Sequence, residues 1–197
     1  MIFNDIHFRW SVLVRFAGVL ILSAACVGSI SGCLSDSESP QEPAELASQN
    51  MEGAQYRDAL AQTIARADRI VVTEHSYEYD AIDENTGRSL LKEEIVYRRV
   101  TLNAAQKSHF LTAIQALETQ IPEAVSACIF EPHHTIRFYA GDKLLSQMDI
   151  CFLCYEVEWS ASSNIPPVAL ADSLARFIES IGLAPERDWK QLARQLL

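Results

Sequence analysis

The apolar residues between Met51 and Leu197 follow two different spacings, and the order of these spacings limits the folds that the chain can adopt. An apolar residue at every third or fourth position predicts a helix with one buried face, whereas strict alternation predicts a strand. Along the chain the spacings predict a helix, two strands, a helix, three strands, a helix and a short final helix. This order is typical of an α+β domain, in which an antiparallel sheet of about five strands carries helices packed mainly on one face.

The boundaries of these elements follow from capping and turn residues. Asn103 is expected to cap the second helix, Pro122 to end it, and Gly141 to lie in the turn of the second hairpin. Up to Phe152 the apolar, inward-facing residues have even numbers, and from Leu153 they have odd numbers. Because a strand alternates strictly, this change predicts a turn or bulge between Phe152 and Leu153. The predicted helices span 52–67, 103–121, 166–182 and 188–196, and the predicted strands span 69–79, 94–102, 135–139, 143–152 and 155–159.

An uncharged apolar run, 16–30, precedes the domain and follows two basic residues, Arg9 and Arg15. The run is shorter than the roughly 20 residues that a membrane-spanning helix needs, and the segment has the polarity of a secretory signal. Its end resembles the lipobox of bacterial lipoproteins, because it reads Ile30-Ser31-Gly32-Cys33.

The resemblance implies that residues 1–32 are a signal peptide and that Cys33 becomes the first residue of the mature chain, carrying diacylglyceryl and an amide-linked chain such as palmitate. Two or more acyl chains anchor a protein stably, so the membrane is the first expected partner. Leu34 favours the outer membrane, facing the periplasm, over the inner membrane, although Asp36 lies close. The alternatives are an ordinary cleavable signal, an uncleaved anchor, and processing at Cys26.

Residues 33–50 are rich in serine, glutamate, proline and glutamine, which predicts a flexible lipidated tether ahead of a single domain, 51–197. The net charge of the whole chain is −10 at pH 7, and loss of the signal peptide, with its two basic residues and one acidic residue, changes this charge to −11. An acidic surface repels nucleic acid and anionic lipid head groups. We therefore expect no nucleic-acid partner, and we expect an envelope protein as a partner.

The cysteines and histidines of the domain are concentrated in one part of the sequence, at Cys128, His133, His134, Cys151 and Cys154. If the strands on either side of the second hairpin turn are paired, His133 lies near Cys151 and the cluster meets at one edge of the sheet. In one interpretation, the three cysteines and one of the two histidines bind a zinc or copper ion in a tetrahedral site.

Two other interpretations of this cluster are open. In an oxidising compartment, Cys128 can form a structural disulfide with Cys151 or Cys154. Alternatively, Cys151 and Cys154 form a redox dithiol, which is less favoured because a strand, and not a helix, is predicted to follow them. With Cys33 blocked by lipid, three thiols remain, and this odd number favours metal binding.

The spacing Cys-x4-His-His followed by Cys-Phe-x-Cys resembles a pattern of uncharacterised exported bacterial proteins, and the resemblance implies one structural unit without implying an activity. The sequence contains no hydrolase, metalloprotease or phosphate-binding motif, which argues against an enzyme. Glu74, Glu78 and Asp80 alternate along the first strand and predict a solvated acidic face, while His75 and His109 are expected to be structural or exposed. The leading hypothesis is a metal-holding lipoprotein, and the alternative is an envelope interaction or assembly module whose cysteines form a structural disulfide.

Overall fold

The computed structural model describes residues 42–123 and 127–197. The predicted signal peptide, Cys33 and most of the predicted tether lie outside these residues. Within the described ranges, no helix is both long enough and apolar enough to cross a membrane.

The described part of the chain contains one sheet and several helices. The helices are α1 (Glu42–Arg66), α2 (Ala104–Gln115), α3 (Leu170–Ser180) and α4 (Trp189–Gln195), and the strands are β1 (Arg69–His75), β2 (Val96–Thr101), β3 (His134–Ala140), β4 (Lys143–Cys151) and β5 (Glu156–Trp159). The strands pair antiparallel in the order β2-β1-β3-β4-β5. The predicted α+β class with a five-stranded antiparallel sheet is confirmed.

The core lies between one face of the sheet and the first three helices. Val72, Ile136 and Met148 are register partners across β1, β3 and β4, and all three are fully buried. Residues of the helices, spaced three or four positions apart, close over this row: Tyr56, Leu60, Ile64, Phe110, Ile114, Leu170, Leu174, Phe177 and Ile178. Each such side chain stabilises the fold by roughly 1.5–3 kcal/mol on burial.

Three predicted boundary features are confirmed. Asn103 caps α2, where its side chain accepts a hydrogen bond from the Gln106 backbone N–H at 2.9 Å and the Gln106 side chain accepts one from the Asn103 N–H at 3.0 Å. Gly141 has a φ of +59° in the turn between β3 and β4. Residues 152–155 form the turn between β4 and β5, at the point where the alternation of inward-facing residues shifts by one position.

Several element ends differ from prediction. The helix α2 ends at Gln115 and not at Pro122, and α3 begins at Leu170 and not at Pro166. The helix α1 begins at Glu42, inside the predicted tether, because this stretch consists mainly of good helix formers and Pro43 lies in the first turn, where a proline removes no helical hydrogen bond. The strand β1 ends at His75, directly after a bulge in its pairing with β2 between Glu74 and His75. Ser76 donates its N–H to the Ile95 carbonyl at 2.9 Å and accepts the Ile95 N–H on its hydroxyl at 2.8 Å, which closes the 76–95 loop.

A glycine in the middle of α1 is required by the close approach of the chain that follows α2. A Cβ atom at Gly53 would collide with the backbone carbonyl of Thr119 and would press on the Ile121 side chain. Alanine normally stabilises a helix interior relative to glycine by roughly 0.5–1 kcal/mol, but overpacking against backbone costs more than this gain.

We therefore expect Gly53→Ala to lower the free energy of unfolding by about 2 kcal/mol in urea denaturation. The matched control is Gln62→Ala on the exposed face of the same helix, which should leave stability unchanged or slightly raised. A Gly53→Ala variant as stable as the parent chain would contradict the close approach.

Candidate functional site

The predicted cysteine cluster contains a disulfide. Cys128 and Cys154 are joined, with their Cα atoms 5.6 Å apart, and Cys151 is a free, buried thiol. This arrangement corresponds to the disulfide interpretation of the sequence. In this form the two paired sulfurs are not thiolates, the form in which cysteine binds metal. Across 42–123 and 127–197, no group of three or more His, Cys, Asp or Glu side chains is placed to hold a metal ion. The zinc or copper ion stays a prediction.

The predicted register of the second hairpin is confirmed. Thr135 pairs with Asp149, and the N–H of His133 donates to the Ile150 carbonyl at 3.3 Å, which places His133 beside Cys151. The histidines and the cysteines therefore meet at one end of the sheet, as the sequence predicts.

A cavity of about 220 Å³ lies at this end of the sheet, and we call it the histidine cavity. Its lining consists of Asp80, Glu131, His133, His134, Phe152, Leu153 and residues 185–190. The disulfide fastens two of its walls together, because Cys128 precedes Glu131 by three residues and Cys154 directly follows Leu153.

Two buried polar side chains hold the third wall, residues 185–190, against the sheet. Glu74 and His134 are register partners on β1 and β3. The Ala184 N–H donates to Glu74 Oε1 at 2.7 Å, and its carbonyl accepts from His134 Nε2 at 3.0 Å. Arg187 donates from Nε to the other Glu74 oxygen at 3.1 Å. The carboxylate of Glu74 has no solvent exposure, so these partners replace the water that it loses on folding.

His134 presents an unused lone pair in this region. Its Nε2 faces a carbonyl, which only accepts, so Nε2 carries the proton and Nδ1 does not. The Nδ1 atom is buried and has no hydrogen-bond partner among the described residues. Burial lowers the pKa of His134 from 6.5 to about 3, opposed by the bond to Ala184 and reinforced by the charges of His75, His133 and Arg187. The ring is therefore neutral at physiological pH.

His133 is fixed by an aromatic ring and by a carboxylate. Its ring stacks on Trp189 at a centroid distance of 4.7 Å and an interplanar angle of 6°. Its Nε2 donates to Asp80 Oδ1 at 2.9 Å, and the other oxygen of Asp80 accepts the Tyr77 N–H at 2.8 Å. Both the orientation of the ring and the nitrogen that carries the proton follow from these contacts.

The sequence-based interpretation of the acidic residues on the first strand was wrong for two of them. Glu74 is 0% exposed and Asp80 is 4% exposed, so neither belongs to a solvated face. The alternation of β1 contains the missed signal, because Glu74 continues the inward series of Ile70 and Val72. No sequence pattern indicated Trp189, which lies on the short final helix α4 and is buried.

A second polar cluster lies on the opposite face of the sheet, beside a cavity of about 500 Å³. Thr135 donates its hydroxyl proton to Asp149 at 2.6 Å and lies 2.8 Å from His75 Nε2. His75 Nδ1 lies 3.0 Å from the Ser76 carbonyl and 3.5 Å from a Glu94 oxygen. Thr135 thus links the His75 ring to the Asp149 carboxylate on this face of the sheet. The structural role expected for His75 is consistent with its burial.

Comparison with known proteins leaves both sequence resemblances as predictions. No protein-family model matches the chain, and neither a curated protein nor a solved structure matches it. The lipobox resemblance concerns residues outside the described ranges. The resemblance of the Cys/His spacing rests on residues that the structure brings together.

The buried His134 predicts a specific dependence of stability on pH. The unfolded chain takes up a proton at this residue near pH 6.5, whereas the folded chain does so only near pH 3. The stability contributed by the neutral ring is therefore fully present above pH 6.5 and is lost as the pH falls toward 3. We expect a loss of about 2 kcal/mol between pH 7 and pH 5 from this group.

Urea unfolding at several pH values measures this loss in the parent chain, in His134→Gln and in His109→Gln. His134→Gln keeps a side-chain donor for Ala184 but does not titrate, so its stability should change less over this range. His109 is exposed and serves as the matched control, whose replacement should leave the slope unchanged. Equal slopes for the parent chain and His134→Gln would refute the assignment.

Proposed function

We propose that this chain is a lipid-anchored protein of the bacterial cell envelope whose domain is a non-catalytic binding module, and that its ligand occupies the histidine cavity. The observation that carries the proposal is the disulfide between Cys128 and Cys154, which fastens two walls of that cavity. Disulfides persist in oxidising compartments such as the periplasm. The lipobox at Ile30-Ser31-Gly32-Cys33 supports the same location, with outer-membrane anchoring favoured by Leu34.

The charges and acceptors of the cavity favour a small cation that donates hydrogen bonds. Glu131, Glu186 and Asp188 line it, and burial raises the pKa of Glu186. The positive charge of Arg187 is already engaged by buried Glu74, which leaves the amine of Lys190 against these three carboxylates. His134 also lines the cavity, and its buried Nδ1 is an acceptor that no described residue satisfies. An organic ammonium ion supplies a positive charge for the carboxylates and N–H groups for the unsatisfied acceptors.

A metal ion is the second candidate, and the orientation of the two histidine rings favours it. Histidines that ligate a metal through one ring nitrogen usually donate from the other nitrogen to a carboxylate or a carbonyl. His133 donates from Nε2 to Asp80, and His134 donates from Nε2 to the Ala184 carbonyl. In the neutral rings both Nδ1 atoms then keep lone pairs suitable for zinc or copper.

The cysteine chemistry can be tested by peptide mapping of the chain isolated from membranes. We expect acyl chains on Cys33, absence of residues 1–32, and alkylation of Cys151 alone when the chain is unfolded without reductant. Cys128 and Cys154 should react only after reduction, because they are paired. Cys33→Ser is the control that should lose the acyl chains and the membrane association while keeping the disulfide. Three reactive thiols before reduction, or an unmodified Cys33, would contradict the proposal.

The ligand can be tested by titrating the full chain separately with butylammonium, Zn²⁺ and Cu⁺ while recording the Trp189 indole resonance. For an ammonium ligand, Glu131→Gln/Glu186→Gln should weaken binding about tenfold, since two carboxylates are neutralised. The matched control, Glu84→Gln/Glu179→Gln, replaces exposed acids elsewhere and should have no effect.

For a metal ligand, His133→Ala should abolish binding, whereas Cys128→Ser/Cys154→Ser should retain it. Loss of metal binding in the cysteine variant would instead assign the ion to the mixed Cys/His cluster that the sequence predicts. Absence of any saturable response to all three probes would reject the cavity as a ligand site.

A further inference from the structure

Tyr155 has a strained backbone conformation, and no burial of its side chain compensates for the strain. Its φ is +55°, in the left-handed region that disfavours residues other than glycine, and it is the one such non-glycine residue in the described ranges. The residue is nevertheless 70% exposed, so burial of the ring does not offset the strain. The turn is held by the Tyr155 N–H, which donates to the Phe152 carbonyl at 3.3 Å, and by the disulfide at Cys154. Strain of this kind is often retained where a side chain is displayed for function.

Tyr155 lines a groove of about 590 Å³ between β5 and the segment 165–168. The apolar side chains of this groove remain open to solvent, since Ile165 is 40% exposed and Val168 is 57% exposed. The groove lies outside the lining of the histidine cavity, and the two share no residue.

One wall of the groove is the edge of the sheet. In the described sheet β5 pairs with β4 alone. The Ser160 N–H donates to the Gln147 carbonyl at 2.9 Å, and the alternation of antiparallel pairing then directs the backbone groups of Glu158 and Glu156 toward β4. By the same alternation, the N–H and the carbonyl of Val157 point toward the outer edge. An extended peptide can add there as a further strand.

The charges of the groove select the kind of peptide. Its lining is apolar except for Glu156, Glu158 and Asp172, and it includes no lysine or arginine among the described residues. We propose that the groove beside β5 binds an extended segment of a partner protein in which basic and apolar residues alternate, through strand addition at Val157 and contact with Tyr155. The chain's own segment 35–41, which precedes α1, contains two acidic residues and no basic residue, so it is repelled by the same carboxylates.

The test uses the full chain and a fluorescent decapeptide of alternating lysine and valine, measured by fluorescence anisotropy at low salt. We expect saturable binding that weakens as salt rises, and no binding of the corresponding glutamate and valine peptide. Glu156→Gln/Glu158→Gln should reduce affinity at least tenfold, while Glu84→Gln/Glu179→Gln leaves it unchanged. No binding by the parent chain, or equal loss in both double variants, would overturn the proposal.

Two single variants separate strand addition and ring contact from charge alone. Val157→Pro removes an N–H that points away from β4, a position where a sheet edge tolerates proline, so the domain should fold and lose peptide affinity at least tenfold. Tyr155→Gly should raise the melting temperature by relieving strain and yet weaken binding, a combination that a purely structural tyrosine would not produce. Unchanged peptide affinity in Val157→Pro would overturn strand addition. A parent chain that sediments as a dimer, and a Val157→Pro variant that sediments as a monomer, would also overturn the proposal, because a second copy of the chain would then occupy the groove.

Discussion

The buried carboxylate of Glu74 is the contact on which the arrangement of the histidine cavity depends. An ionised carboxylate removed from water is strongly unfavourable unless hydrogen bonds and an opposite charge replace the water. In this domain the replacements come from Ala184 and Arg187, more than a hundred residues along the chain. The segment after α3 is therefore tied to the sheet, and Trp189 is brought onto the ring of His133.

The attachment of Ala184 to the sheet also explains why His134 is neutral and why its Nδ1 lone pair has no partner among the described residues. Its proton is used by the Ala184 carbonyl, on the same peptide segment that Glu74 holds through the N–H. Protonation of the second ring nitrogen would place a charge in the interior beside Arg187, which burial and repulsion both disfavour. The disulfide thus joins two walls of the cavity, and the ion pair between Glu74 and Arg187 holds the third.

The sheet separates two kinds of polar chemistry on its two faces. On the helix side, Glu74 and His134 interrupt an otherwise apolar core at the end of β1 and β3. On the other side, His75, Thr135 and Asp149 form a chain of hydrogen bonds. Because strand residues alternate between faces, neighbours in sequence such as Glu74 and His75 serve different environments.

Sequence patterns predicted those features of the fold that depend on interactions between residues close together in the chain. The spacing of apolar residues identified the helices and strands, Asn103 supplied a cap, and the register around Gly141 placed His133 beside Cys151. The errors concern Glu74 and Asp80, which the charge of their side chains assigned to solvent. Their burial depends on Ala184, Arg187 and His133, which are distant in sequence, and no local pattern contains that information.

The sequence by itself determined the α+β class, the hairpin register and the presence of one reactive cluster, because periodicity and turn chemistry act over a few residues. Only the tertiary structure decided that Cys128 pairs with Cys154 rather than with Cys151, that Glu74 faces the interior, and that Trp189 covers His133. These outcomes depend on distances between elements that are far apart in the chain. Such distances are set by the packing of the whole core and by the need to satisfy every buried polar group.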